Sequence, residues 1–243
     1  MSETRINLWS CPRNVSTAFM YSFGQRVDTS IVDEPLYAHY LSNSTVIHPC
    51  QNEILSSQFQ SGKKVVEEVL FGKYSTEISF FKHMTHHLVE IDWSFMLKMK
   101  NIIFIRDPRK ILISYSKVIA KPTIEDIGIE KQLKLFNYLK QNKADFVVLD
   151  SNELLKNPPK CLELLCEKLN IPFDDKMLSW KKGARKEDGV WAKHWYDNVH
   201  NSTGFKVQNT SNQPIVMPEN LKELAEKCMP FYEAVVKYSI KVF

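Results

Sequence analysis

Short β-rich runs alternate with longer segments of helical periodicity along this chain of 243 residues. The runs lie near 4–9, 29–33, 77–82, 101–106 and 145–149. Strands that alternate with helices form a mostly parallel sheet that has helices on both faces. The pattern therefore predicts an α/β fold, a three-layer sandwich with about five strands. The length fits a single domain over residues 1–243.

Helices are predicted where apolar residues recur at intervals of three and four between these runs. They cover 16–25, 54–70, 85–98, 110–119, 125–141, 158–169 and 218–236. Residues 180–211 lack clear periodicity but contain several aromatic side chains. Because a long irregular segment in a compact domain usually has a function, we expect this one to contribute to a site.

The composition is that of a globular protein, with 44% hydrophobic and 25% charged residues and a net charge of +4. Five cysteines without a CxxC pair argue against a disulfide framework and a zinc ribbon, and favour a reducing compartment. The first residues contain no apolar signal segment, and no apolar stretch is long enough to span a membrane. We therefore expect a cytoplasmic protein with no membrane or nucleic-acid partner, since the lysines form no basic stripe.

The first candidate anion site is the segment 10–17, called the first loop, which follows an apolar strand and leads into a helix. Such a junction presents unpaired backbone N–H groups and the positive end of the helix dipole. Arg13 adds a charged fork, while Ser16 and Thr17 add hydroxyl donors and are expected to cap the helix. The Walker A glycines and lysine are absent, which argues against ATP or GTP hydrolysis. The alternative is that these residues are only a cap and a surface charge.

The second candidate, called the second loop, is the segment 106–110 after the apolar run Ile102 to Ile105. Arg106 should emerge at the carboxyl edge of the sheet, where ligands bind in open α/β folds. Ser114 lies eight positions later, about two turns along the next helix. A helix cap at Asp107 beside a solvated basic turn is the alternative. Two anion sites at neighbouring strand ends predict a ligand with phosphate groups at both ends.

The two loops together resemble the nucleotide-binding pair of the P-loop-like sulfotransferases that use 3′-phosphoadenosine 5′-phosphosulfate (PAPS). In that family a strand-loop-helix grips the 5′-phosphosulfate, and a later arginine with a serine eight residues on grips the 3′-phosphate. The resemblance implies that the first role belongs to Arg13, Asn14, Val15, Ser16 and Thr17, and the second to Arg106 and Ser114.

A third segment, 181–193, is similar to the late part of that family that folds over the nucleotide. Val190 stands where the family has an aspartate. The resemblance implies nucleotide contacts from Lys182, Gly183, Trp191 and Lys193.

Two residues are candidates for the catalytic base. Glu34 follows the second strand and looks like the glutamate base of the tyrosylprotein and trehalose sulfotransferase branches. His86 follows the third strand, where the branch acting on small molecules places its catalytic histidine. His83 is the alternative candidate for this histidine. A carboxylate needs a dry site to become a useful base, and we rank Glu34 first on position. Arg13 is expected to assist transfer, and Lys82 is expected to neutralise charge on the transferring group.

No metal is expected. A cluster of His83, His86 and His87, completed by His39 or Asp33, is the alternative, but such spacings are common.

The leading hypothesis is a PAPS-dependent sulfotransferase that modifies a hydroxyl or amine of a small-molecule acceptor. One alternative is a nucleotide or small-molecule kinase with a degenerate phosphate loop. Another is a catalytically silent member of the fold that binds a nucleotide or a protein. The acceptor pocket is expected to be partly aromatic, with core packing as the alternative for the side chains Tyr37, His39, Tyr40, Trp195 and Tyr196. The sequence identifies neither the acceptor nor the oligomeric state.

Overall fold

The computed structural model describes residues 3–207 and 215–242. Its sheet contains the strands β1 (Thr4–Ser10), β2 (Thr29–Asp33), β3 (Ile78–Met84), β4 (Lys100–Ile105) and β5 (Phe146–Asp150). They lie in the order β2-β3-β1-β4-β5, and every neighbouring pair is parallel. The five predicted strands and the α/β fold are thereby confirmed.

Helices connect the strands. The α-helices are α1 (Ser16–Phe23), α2 (Tyr37–Ser42), α3 (Gln51–Ser57), α4 (Gly62–Lys64), α5 (Pro108–Tyr115), α6 (Ile124–Ile127), α7 (Ile129–Gln141), α8 (Ser151–Lys156), α9 (Pro158–Lys168), α10 (Ala192–Trp195), α11 (Asp197–His200) and α12 (Glu219–Val236). A π-helical stretch (Val65–Leu70) and 3-10 turns (Thr85–His87, Ser94–Lys98, Asp175–Leu178) complete the set. Within the described ranges no helix is long and apolar enough to cross a membrane.

The helix predicted over 85–98 is wrong, since two short 3-10 turns flank an irregular stretch there. Its apolar residues Leu88, Phe95 and Met96 pack against the core without helical periodicity. The helix predicted over 125–141 breaks at Gly128, whose φ of +70° ends α6. A Cβ at that position would lie 3.1 Å from the Cβ of His86, so the close approach also requires glycine.

The helix predicted over 54–70 is also interrupted. Helix α3 begins earlier, at Gln51, and the chain is extended at Gln58. Ser61 then caps a new start, its hydroxyl accepting a hydrogen bond from the amide of Lys64 at 3.4 Å.

Two buried clusters lie on opposite faces of the sheet, as the alternation of side chains along a strand requires. On β1, Ile6 and Leu8 belong to the cluster beneath α1 and α9. Trp9 belongs to the other cluster, which packs against α7 and the end of α12. Because all strands are parallel, the loops after β1, β2, β3 and β4 emerge at one edge of this sandwich.

Candidate active site

The first loop is held in a conformation with two residues in the left-handed region. Arg13 has a φ of 57° and Val15 a φ of 51°, on either side of Asn14. Positive φ values are costly for residues other than glycine, above all for the β-branched Val15, and they persist only where the surroundings enforce them. The buried Asn14 supplies part of that restraint, since its Nδ2 donates to the carbonyl oxygen of Phe104 in β4 at 2.6 Å. Where right-handed and left-handed backbone conformations alternate along a loop, the successive N–H groups form a concave surface that binds anions.

Ser16 and Thr17 begin α1, but neither is its cap. The N-cap is Val15, and the helix has no side-chain cap. The expectation that these hydroxyls cap the helix is therefore wrong, because the chain enters the helix through the left-handed Val15. Both residues line the cavity described below.

The second loop meets the first loop directly. Arg106 donates from Nη1 to the carbonyl oxygen of Arg13. Arg13 in turn donates from Nε to the hydroxyl of Ser114 on α5 at 3.0 Å. Asp107 does cap α5, accepting from the amide of Arg109 at 2.9 Å, yet Arg106 still reaches the site. The structure thus brings the two predicted anion sites together.

The two arginines form a concentration of positive charge without carboxylate partners. Burial lowers the pKa of both guanidinium groups, and the charge of Arg13 lowers that of Arg106 further. Among the described residues neither makes an ion pair. Two neighbouring cations held by hydrogen bonds to neutral groups are an arrangement that attracts an anion.

Both loops open into a cavity of about 360 Å³. Its opposite wall is formed by residues 191–206, called the covering segment. Trp191 lines the cavity, as predicted for the third segment, and so do Phe205 and Lys206, which sequence reasoning missed. Their only sequence signal was the irregular, aromatic-rich character of 180–211.

Three residues predicted to contact the nucleotide lie elsewhere in this structure. Lys182 is exposed, and Gly183 donates its amide to the carbonyl oxygen of His200 at 2.8 Å. Lys193 extends from α10 to the carboxylate of Glu53 at 2.8 Å. None of the three lines the cavity.

A buried polar network lies beside the cavity, where β2 and β3 end. Lys82 is fully buried and donates to Asp33 at 3.1 Å and to Glu34. It also donates to the hydroxyl of Tyr196 at 2.8 Å, while that hydroxyl donates to Asp33 at 2.7 Å. The parallel register that pairs Asp33 with Lys82 brings these groups together. Lys82 does not line the cavity, so its charge is satisfied inside the protein.

The same network anchors the segment that leads to the covering segment. The amide of Gly189 donates to Asp33 at 3.3 Å, and Trp191 donates from Nε1 to the hydroxyl of Tyr196 at 3.1 Å. A Cβ at Gly189 would lie 2.1 Å from the indole of Trp191, so only glycine permits this approach. Asp33 and Tyr196 are thus structural parts of the site.

Glu34 is the only acidic residue among the described residues that line the cavity. Its φ of 40° is in the left-handed region, and its backbone is held by hydrogen bonds to Lys82 and Gln58. Burial raises the pKa of Glu34 to about 7, against the opposing effect of Lys82. A carboxyl with that pKa is half protonated near neutrality, which suits general base chemistry.

The histidines after β3 differ in position. His86 and His87 line the cavity, whereas His83 stacks on Trp9 at 4.1 Å and bonds to Asn7. His87 lies between the rings of Tyr37 and Tyr40, and its Nε2 is 3.9 Å from Oε2 of Glu34. Desolvation lowers the pKa of His83 and of His86 to about 3 and that of His87 well below its usual value, so all three are neutral.

In the part of the chain that the structure describes, no group of three His, Cys, Asp or Glu side chains is placed so that it could hold a metal ion. His39 instead bonds to the carbonyl oxygens of Gln60 and Val89. His48 is a residue that sequence reasoning missed. It lines the cavity and bonds through Nδ1 to the hydroxyl of Tyr37 at 2.7 Å.

Comparison with known proteins shows the family of this chain. The family model for the sulfotransferase domain matches residues 4–239. The chain belongs to this family. Two Arabidopsis thaliana proteins, branched-chain-amino-acid aminotransferase-like proteins 1 and 2, are 39% and 36% identical to it over 238 and 228 residues. These matches cover 96% and 93% of this chain but only 42% and 40% of those proteins, so this chain spans less than half of their length.

Solved sulfotransferases share the fold. The enzyme from Alicyclobacillus acidocaldarius aligns with a TM-score of 0.56 and 8% identity, over 100% of this chain and 98% of that chain. Mouse sulfotransferase SULT7A1, complexed with PAP, aligns with a TM-score of 0.51 and 11% identity, over 98% and 86%. The chain therefore has the P-loop-like sulfotransferase fold.

Proposed function

We propose that this chain transfers a sulfuryl group from PAPS to a small-molecule acceptor. The observation that carries the proposal is the contact between the two loops, which places two arginines without ion-pair partners among the described residues at one cavity. The mouse relative was solved with PAP, the desulfonated nucleotide. PAPS supplies the activated sulfuryl group, and the protein supplies binding, orientation and a base.

The nucleotide end of the cavity contains groups suited to two phosphates. The backbone of the first loop, together with the hydroxyls of Ser16 and Thr17, would bind the 5′-phosphosulfate. Arg106 and Ser114 would bind the 3′-phosphate. Arg13 would lie between the two phosphate sites, because its side chain bonds to Ser114 and its carbonyl oxygen accepts from Arg106. Neither role requires a metal, since the positive charge comes from side chains.

Glu34 is the proposed base. With Asp33 and Lys82 it forms a buried group of two carboxylates and one ammonium, which has one net negative charge when both carboxylates are ionised. Taking a proton from the acceptor brings that buried charge to zero, which burial favours. His86 and His87 line the same end as neutral groups and provide hydrogen bonds.

Calorimetry with PAP tests the proposal. The wild-type protein should bind PAP, and Arg106→Ala should weaken binding by at least roughly 100-fold, because two charge-assisted hydrogen bonds contribute about 1.5–3 kcal/mol each. Arg109→Ala is the matched control, since Arg109 pairs with Asp107 and does not line the cavity. Absence of PAP binding at micromolar concentrations, or an equal loss in both variants, would contradict the proposal.

Two further measurements separate this proposal from the other functions. Stabilisation by Mg²⁺ and ATP rather than by PAP in a thermal shift assay would indicate a kinase. Tight PAP binding without transfer from labelled PAPS to any acceptor of a broad panel would indicate a catalytically silent protein. A cytoplasmic location and the lack of nucleic-acid and membrane partners stay predictions.

A further inference from the structure

The buried network beside the cavity has one cation fewer than it has carboxylates. Asp33 and Glu34 share the single ammonium of Lys82, whose side chain is fully enclosed. Asp33 accepts further hydrogen bonds from Tyr196 and Gly189, and Glu34 is the one of the two carboxylates that lines the cavity. A buried net charge is unfavourable unless an opposite charge pairs with it. The unpaired negative charge can therefore pair with a molecule that binds in the cavity next to Glu34.

Neighbouring side chains do not supply the second cation. Desolvation lowers the pKa of His48, His86 and His87, so their imidazoles remain neutral at physiological pH. Within the described part of the chain, no arginine forms an ion pair with either carboxylate of the network. The missing charge has to come from a bound molecule or from a proton.

The walls around Glu34 fit an organic cation. Tyr37, Trp191, Trp195 and Tyr196 line the cavity together with Glu34. Aromatic faces attract cations within about 6 Å of the ring centroid, and more strongly where water is excluded. One of these rings already has such a neighbour, because the ammonium of Lys82 lies 5.1 Å from the centroid of Tyr196.

We propose that the acceptor is an amine with an apolar or aromatic body, which binds as its ammonium ion against Glu34 and the surrounding aromatic rings. This inference rests on the proposed function and selects the amine from the hydroxyl and amine classes. An anionic acceptor is disfavoured, because it would add a second negative charge beside Glu34.

The chemistry balances with PAPS as the only co-reactant. Glu34 takes one proton from the ammonium and becomes a neutral carboxylic acid, leaving a free amine. The nitrogen lone pair then forms a bond to sulfur, while the bond from sulfur to the phosphate oxygen breaks and its electron pair leaves with PAP. Loss of a second proton from nitrogen to water gives the sulfamate, and Glu34 returns its proton to solvent.

Binding of matched probes to the complex of protein and PAP tests the proposal. We would titrate 2-phenylethylamine and 2-phenylethanol, which differ only in the charged group, into the PAP complex by calorimetry. The amine should bind at least about tenfold tighter to the wild type, as expected for a partly buried ion pair with cation–π contacts. Glu34→Gln should remove this preference. Glu53→Gln, an exposed carboxylate on α3 that does not line the cavity, should retain it.

The outcomes separate this inference from the proposed function. If PAP itself does not bind, the proposed function fails. If PAP binds but the alcohol binds as tightly as the amine, or neither probe binds at millimolar concentration, only the amine proposal fails. A preference that persists in Glu34→Gln also overturns it. Should Glu34→Gln fail to bind PAP, the wild-type ratio of the two probes decides alone.

Discussion

Two cations at the same sheet edge, Lys82 and Arg106, have opposite surroundings. Lys82 is fully buried between two carboxylates, and their charges raise its pKa despite the opposing effect of burial. Arg106 contacts a backbone carbonyl, and burial lowers its pKa. The charge of Lys82 is used within the protein, whereas that of Arg106 is available to a ligand. One end of the cavity therefore attracts anions, and the other end does not.

Exchanging each cation for methionine tests that difference most strongly. Lys82→Met should lower the free energy of unfolding by about 3–5 kcal/mol, because it leaves two buried carboxylates without their partner. Arg106→Met, which breaks no ion pair, should change it by less than about 1 kcal/mol and act on PAP binding instead. Urea denaturation at pH 7.5 measures both values.

A second measurement shows whether the carboxylates cause the loss. The triple variant Lys82→Met, Glu34→Gln, Asp33→Asn should recover part of the stability, because it removes the unpaired charges. Equal destabilisation by Lys82→Met and Arg106→Met would mean that the two cations do not differ as described.

Glu34→Gln should impair transfer of the sulfuryl group without impairing binding of the nucleotide. Transfer from PAPS should fall roughly 100-fold or more on loss of a general base, while the Kd for PAP stays the same within about twofold because Glu34 lies at the other end. In the wild type, kcat/KM should rise with pH and level off above about 7, where Glu34 becomes ionised. A pH profile that is flat between 5 and 8, with full activity in Glu34→Gln, would remove Glu34 from the mechanism.

The sequence was sufficient for the strands and for the places of the first and second loops, because both depend on local pattern. Apolar runs determine the strands, and residue types at a strand end determine the first and second loops. The contact between Arg13 and Ser114 follows from the helical spacing of α5 once β1 and β4 are neighbours. Local pattern is therefore enough to predict where these two loops lie, but not the backbone conformation of the first loop.

The acceptor end depends on contacts between distant segments, which the sequence does not reveal. Lys82 was expected to act on the transferring group, but the register of β2 and β3 places it against Asp33. Tyr196 joins the network from 114 residues away from Lys82. The left-handed φ of Val15 has no signal either, since branched residues normally avoid it.

The neutral histidines after β3 predict a loss of stability in acid. His83 has a pKa of about 3 in the folded protein, so below pH 6.5 the unfolded chain binds a proton that the folded chain does not. Its contribution is present above pH 6.5 and declines by about 1.4 kcal/mol per pH unit on acidification. His83→Asn should reduce the slope of unfolding free energy between pH 6 and 4.5 by about that amount. Identical slopes would show that His83 is protonated in the folded state.

The smallest effect concerns two lysines of the covering segment. Lys206 lines the cavity, whereas Lys193 pairs with Glu53 on the surface. Lys206→Ala should weaken PAP binding roughly threefold, the size expected for one exposed charge, and the difference should disappear at high salt. Lys193→Ala should leave the Kd unchanged within experimental error. The reverse ranking in calorimetry at low salt would mean that the covering segment rearranges when PAP binds, and that Lys193, as the sequence resemblance implies, contacts the nucleotide.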